Sequence, residues 1–160
     1  MVKFACGMLA AALLAFAPVS APAAGEAAPM DTVKSFLKDC GAFFIATMDK
    51  DAQPRVRPFG ALATFEGRLY LCTGNRKNVY RQLKSNPKVE ISGVASGEWI
   101  RLEALAVEDT RREAKVAVLE QNPGLKKMYS ADDDVFAVFY LKDAKASILS
   151  FTGRNDKYEF

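Results

Sequence analysis

The chain has 160 residues, 50% hydrophobic and 26% charged, with a formal net charge of +3. That is globular composition at single-domain length, too apolar for a disordered tail. It contains no histidine, which excludes histidine-ligated haem, histidine-containing zinc sites and Ser-His or Cys-His catalytic pairs. Its three cysteines lack CxxC spacing, which argues against zinc ribbons, iron–sulfur clusters and thioredoxin-like redox motifs.

In chain order, Met1-Val2-Lys3, the uncharged run Phe4 to Ala17 and the small, proline-broken Pro18 to Ala24 have the three-part layout of a secretory signal peptide. Ala21-Pro22-Ala23 places the cut after Ala23, predicting an exported, periplasmic protein. The apolar run is shorter than the ~20 residues of a spanning helix, so no stable membrane insertion is expected after cleavage. Residues 24–30 read as a flexible stub and 31–160 as one domain.

Asp31 to Cys40 has Val33, Phe36, Leu37 and Cys40 at helical spacing, with Asp31 or Thr32 as cap and Gly41 as stop. Ala42 to Met48 is aromatic and β-branched, a buried strand. Pro54 to Phe65 reads as one long strand that turns at Glu66-Gly67 into Arg68 to Thr73, forming a hairpin. After the loop Gly74 to Lys77, Asn78 to Ser85 is a short helix with Val79 and Leu83 inward. Strands are expected at Lys88–Ala95 and Trp99–Glu108. A helix follows over Thr110–Gln121, with Thr110 and Glu113 as a capping box. Val135–Leu141 and Ala146–Phe151 close the chain as two strands. About seven strands joined by tight turns, without βαβ alternation, predict a mainly β (α+β) fold: an antiparallel barrel with short flanking helices.

Charge is segregated. Arg55 to Lys88 carries eight basic residues and one acid, a charge of +7. That segregation points to an anion site. The best placed element is Leu71 to Asn78, a strand running through Gly74 into a helix start, where free N–H groups and the helix dipole favour an anion. Thr73 and Asn75 add polar side chains there, Arg76 and Lys77 add charge, and Arg55 and Arg57 share one face of the long strand. The spacing is not that of a P-loop. Modest net charge and no interleaving of aromatic with basic residues argue against nucleic acid. Tyr70, Tyr80 and Tyr129 are proton-donor candidates for which packing is the plainer reading.

Gln53-Pro54-Arg55-Val56-Arg57-Pro58-Phe59-Gly60, then Tyr70-Leu71-Cys72-Thr73 and Arg76-Lys77, resemble the pyridoxamine 5′-phosphate oxidase-like family, the FMN-binding split barrels. Asn86-Pro87-Lys88-Val89, Glu98 to Leu102 and Phe139-Tyr140-Leu141 continue the pattern, so the resemblance spans about residues 31–153. It implies a split barrel of six to seven strands and a homodimer with FMN at the interface. Arg55, Val56, Arg57 and Pro58 would pass along the flavin, Thr73 would contact it, and Arg76 and Lys77 would take its phosphate. Trp99 aligns with a flavin-contacting polar position but departs in residue type; a core or interface tryptophan is the alternative.

Pyridoxamine phosphate oxidases carry a C-terminal substrate segment with Arg and His. This chain ends Arg154-Asn155-Asp156-Lys157-Tyr158-Glu159-Phe160, so vitamin B6 oxidation is not expected. The absence of histidine also weighs against the nitroimidazole-reductase and haem-handling branches. The resulting expectation is an FMN-dependent oxidoreductase or electron-transfer protein working on a small-molecule redox partner. The alternative is an exported, non-catalytic module that binds another phosphorylated or anionic ligand in the same basic pocket.

Overall fold

The computed structural model describes residues 28–160; the signal peptide expected at residues 1–23 falls outside the described residues. The first helix, α1 (Pro29–Asp39), starts inside the expected stub. Pro29 occupies the first turn, where its missing N–H costs nothing. Neither expected cap forms: the Thr32 hydroxyl bonds back to the Ala28 carbonyl at 3.4 Å. Gly41, at φ +68°, does end the helix.

The strands are β1 (Phe43–Met48), β2 (Pro54–Phe59), β3 (Ala63–Phe65), β4 (Arg68–Gly74), β5 (Lys88–Ala95), β6 (Glu98–Asp109), β7 (Phe136–Ser150) and β8 (Asn155–Glu159). Helices α2 (Asn78–Ser85) and α3 (Arg112–Gln121), with a 3-10 turn at Pro123–Lys127, complete the chain. All pairings are antiparallel, in the order β2-β1-β5-β6-β7-β4-β3, with β8 also on β7. The two end strands, β2 and β3, are not paired, yet only Gly60 to Leu62 separates them in sequence. The sheet must therefore curl until its ends nearly meet, giving a split barrel.

Four expectations change. Pro54 to Phe65 is two strands, and the first pairs with β1 rather than with Arg68–Thr73. Pro54 and Pro58 lack N–H donors, which suits β2 to a sheet edge. The last two strands are one, β7, with a bend at Asp143 (φ +53°) beside a register shift between Glu103 and Leu105. The polar C-terminal run Asn155–Glu159 is a strand, held on the edge of β7. The Thr110–Glu113 capping box is absent: α3 begins at Arg112, and the Arg111 N–H bonds Asp109 Oδ1 at 3.0 Å.

Alternation divides the apolar residues between two cores. Inward residues such as Phe43, Ile45, Leu71, Ile91 and Ile100 fill the barrel with Leu37 of α1 and Leu83 of α2. On the outer side of β3, β4 and β7, Tyr70, Cys72, Phe136 and Val138 pack against Ala114, Val118 and Leu119 of α3. Each fully buried large side chain contributes ~1.5–3 kcal/mol. This packing fixes β4, and with it the loop into α2.

Candidate functional site

β4 ends at Gly74, and the Lys77 N–H closes the turn on the Gly74 carbonyl at 3.0 Å. Lys77 then occupies the N-cap position of α2 in extended backbone. No side chain caps this helix and its first turn holds no acid. The leading N–H groups and the positive dipole end are thus left for an anion.

Arg57 approaches the same place from β2. It donates to the Thr47 hydroxyl at 2.6 Å, the Ile45 carbonyl at 3.3 Å and Gln82 Oε1 at 2.8 Å. The Thr47 hydroxyl in turn donates to Gln82 Oε1 at 2.7 Å. Thr47 and Gln82 are only 4% and 9% exposed. Every acceptor in this network is neutral. Arg57 is oriented without being neutralised, and burial with the nearby Arg55 pushes its pKa down.

Two clefts meet here. The first, about 530 Å³, lies between β2, the end of β4 and the segment after α3. Pro58, Phe59, Ala61, Leu125 and Met128 make its walls largely apolar, with Thr73, Asn122 and Tyr129 as polar points. The second, about 1010 Å³, runs along α2 and the β1–β2 turn and holds Arg55, Val56 and Arg81. Arg57, Lys77 and Val79 line both. Neither Arg57 nor Lys77 pairs with a carboxylate among the described residues. The first cleft has no carboxylate in its lining. Cys72 also lines it, but burial pushes its thiol up to about 11, so it stays protonated at neutral pH.

Of the residues singled out from sequence, Arg57, Pro58, Thr73 and Lys77 come together in the first cleft. Arg55 and Val56 line the second, and Arg55 is ion-paired with Asp49 at 2.7 Å. Asn75 lines neither cleft: its carboxamide bonds the Asp134 carbonyl and its N–H the Val135 carbonyl. Arg76 is exposed and lines neither; its carbonyl accepts from Arg81. Trp99 lies elsewhere on the sheet, 4.9 Å from the Phe151 ring. Of the tyrosines, Tyr129 alone borders the first cleft, while Tyr70 bonds Asp109 and Tyr80 bonds Glu108.

Sequence reasoning missed Thr47, Gln82 and the wall formed by Leu125 and Met128. Thr47 falls in the inward phase of Phe43 and Ile45, and Gln82 shares the inward face of Val79 and Leu83. A polar residue at an apolar phase was the available signal.

A sequence model described as pyridoxamine 5′-phosphate oxidase matches residues 29–147. The chain belongs to the pyridoxamine 5′-phosphate oxidase family. Among solved structures, a NimC/NimA-family protein from Clostridium acetobutylicum is 46% identical, covering 82% of this chain and 93% of its own, with a TM-score of 0.78. A haem-binding protein from Mycobacterium smegmatis shares the fold at 17% identity and TM-score 0.63, covering 84% of this chain and 59% of its own. A pyridoxamine 5′-phosphate oxidase-related, FMN-binding protein from Nostoc punctiforme shares it at 11% identity and TM-score 0.57, covering 85% and 98%. No curated protein matches the chain.

A flavin mononucleotide has a flat, largely apolar ring system and one terminal phosphate. The first cleft offers apolar walls and, at one end, two unneutralised cations beside an uncapped helix start. Its volume lies within the ~300–1,000 Å³ usual for small-molecule sites. The donor set fits that group.

Proposed function

We propose that this protein is an FMN-binding oxidoreductase or electron-transfer protein acting on a small-molecule redox partner. The observation that carries this reading is Arg57. It is held by Thr47 and Gln82 without a counter-charge, and it borders the apolar cleft with Lys77. Arg57, Lys77 and the α2 N-terminus would hold the phosphate. Thr73 would hydrogen-bond the cofactor, and Pro58, Phe59, Leu125 and Met128 would keep water from the ring.

A bound flavin supplies the hydride or electron transfer itself. The chain's own contribution is binding, exclusion of water and a positive field that favours negative charge on the cofactor. Tyr129 is the one phenol able to deliver a proton at its hydroxyl into this cleft.

Homodimerisation is part of the proposal. The outer face of β1, β2, β5 and β6 exposes Phe44, Val56 and Val94 beside Trp99, and Phe151, 95% exposed, stands next to it. An apolar face of this kind marks an interaction surface, and a second copy would cover it. Export is likewise proposed, from residues 1–23. A chain that crosses the membrane unfolded would acquire its flavin afterwards.

The test is to purify the protein, add FMN, remove the excess, and record the visible spectrum and the bound stoichiometry. One flavin per chain is expected. A colourless protein that retains none would reject the flavin reading.

A further inference from the structure

We propose that Gln121 and Asn122 are positioning residues for the ring site: they fasten the end of α3 to the open edge of β3 and so hold residues 123–129 as a strap across the first cleft. This rests on the flavin reading above. β3 pairs with β4 and is an end strand of the sheet. Such an edge leaves backbone N–H and carbonyl groups without a strand partner. The Gln121 carboxamide stands in for one. The Thr64 N–H donates to Gln121 Oε1 at 2.9 Å, and Gln121 Nε2 donates to the Thr64 carbonyl at 2.8 Å. Next to it, Asn122 Nδ2 donates to the Leu62 carbonyl at 3.0 Å and back to the Val118 carbonyl at 2.9 Å. From α1, Lys34 Nζ donates to the Thr64 hydroxyl at 2.9 Å and to Gln121 Oε1 at 3.3 Å, so three elements share one clamp.

The strap begins where the clamp ends. None of residues 123–129 is buried. Their backbone bonds are local: Leu125 N–H to the Asn122 carbonyl, and Met128 and Tyr129 N–H to the Leu125 carbonyl, each at 2.9 Å. At the far end the Tyr129 ring lies 4.9 Å from Phe136, and its hydroxyl is 3.2 Å from where a side chain on Gly74 would begin. Between these two ends Leu125 and Met128 face the first cleft, and Met128 is left 67% exposed. That is apolar surface for a flat ring to cover. No residue of the strap lines the second cleft, so the strap serves the ring and not the phosphate end. Gln121 and Lys34 line neither cleft, so their effect on a ligand passes through the strap.

The experiment is limited trypsin digestion of the full purified chain with riboflavin, FMN or inorganic phosphate added. Lys126 and Lys127 are exposed on the strap. Cleavage after them is expected to slow at least about tenfold with FMN or riboflavin, because the ring covers the strap, and to be unaffected by phosphate. Gln121→Met keeps the volume and removes the clamp. It should speed that cleavage and weaken FMN and riboflavin by the same factor, about five- to tenfold. An equal loss for both ligands marks the ring wall, whereas Arg57→Ala should cost FMN alone. Lys34→Met, which removes one arm of the clamp, should act in the same direction and less. Cleavage at Lys126 and Lys127 as fast with flavin bound as without it would overturn the inference and leave the flavin reading standing. Unchanged riboflavin affinity in a folded Gln121→Met would do the same. A chain that binds neither flavin would overturn both.

Discussion

Two polar clusters in this protein are each built around an arginine, and they treat its charge in opposite ways. On the α3 side Arg111 donates to Asp109 at 2.8 Å and to Glu66 at 2.9 Å, while the Tyr70 hydroxyl bonds Asp109 at 2.8 Å. The positive charge is matched twice over. The Arg111 guanidinium holds Asp109 down to about 2, and burial with Asp109 pushes Tyr70 up to about 12. On the α2 side Arg57 meets only a hydroxyl, a carboxamide oxygen and a backbone carbonyl. Hydrogen bonds to neutral acceptors fix direction and leave the charge available. The first cluster is closed on itself and ties β4 and β6 to the start of α3. The second is open, and what would close it is an anion from outside.

Substitutions can break this contrast. Arg57→Ala should weaken FMN binding by about 2–3 kcal/mol, the scale of a charge-assisted hydrogen bond, with little change in unfolding free energy. Lys77→Ala should lose a similar amount, because it lacks the neutral scaffold but faces both clefts. Arg111→Ala should do the reverse. It leaves Asp109, 7% exposed, without its cation, lowering stability in urea unfolding while flavin affinity holds. An Arg111 variant that lost affinity but kept stability would erase the distinction.

The closed cluster also has a pH signature. Folding favours the Asp109 carboxylate, whose folded value of about 2 lies below its ordinary value of 3.8. Its contribution is therefore complete above about pH 4 and disappears as pH falls toward 2. After solvent screening it amounts to about 1–2 kcal/mol. In urea titrations across that window, Asp109→Asn should flatten the fall in stability, and an unchanged slope would remove Asp109 as its source. A smaller effect is expected from Gln82→Met, which keeps the volume and deletes the acceptor. FMN affinity should drop by about 1 kcal/mol as Arg57 loses one orienting bond. Least of all, Lys84→Ala should change affinity by less than about 0.5 kcal/mol, because Lys84 is exposed and already paired with Glu108 at 2.8 Å.

The same contrast separates what was legible in the sequence from what was not. Periodicity found α2 and β5 to the residue, and the turns Glu66-Gly67 and Ser96-Gly97 were readable because both positions of each adopt positive φ. Arg57 and Lys77 were visible as basic residues near a helix start. Which of several cations kept its charge was not visible. Arg55 and Arg57 look equivalent on a strand, yet Asp49, five residues before Pro54 in a local turn, pairs with Arg55 alone. The strand itself misled, because an uninterrupted β-prone run from Pro54 to Phe65 does not announce that its halves choose different partners. Pairing is decided by the sheet's closure, a long-range property. Thr47 and Gln82 went unread for a related reason: a polar residue at an inward phase has meaning only once the arginine it serves is known.

The most direct measurement compares FMN with riboflavin, which has the ring but not the phosphate, in titrations of the wild-type chain and Arg57→Ala. The uncompensated charge of Arg57 predicts that wild type prefers FMN strongly, and that Arg57→Ala loses FMN affinity while binding riboflavin as before. Equal losses for both ligands, or none for either, would contradict the claim that Arg57 is held ready for a phosphate.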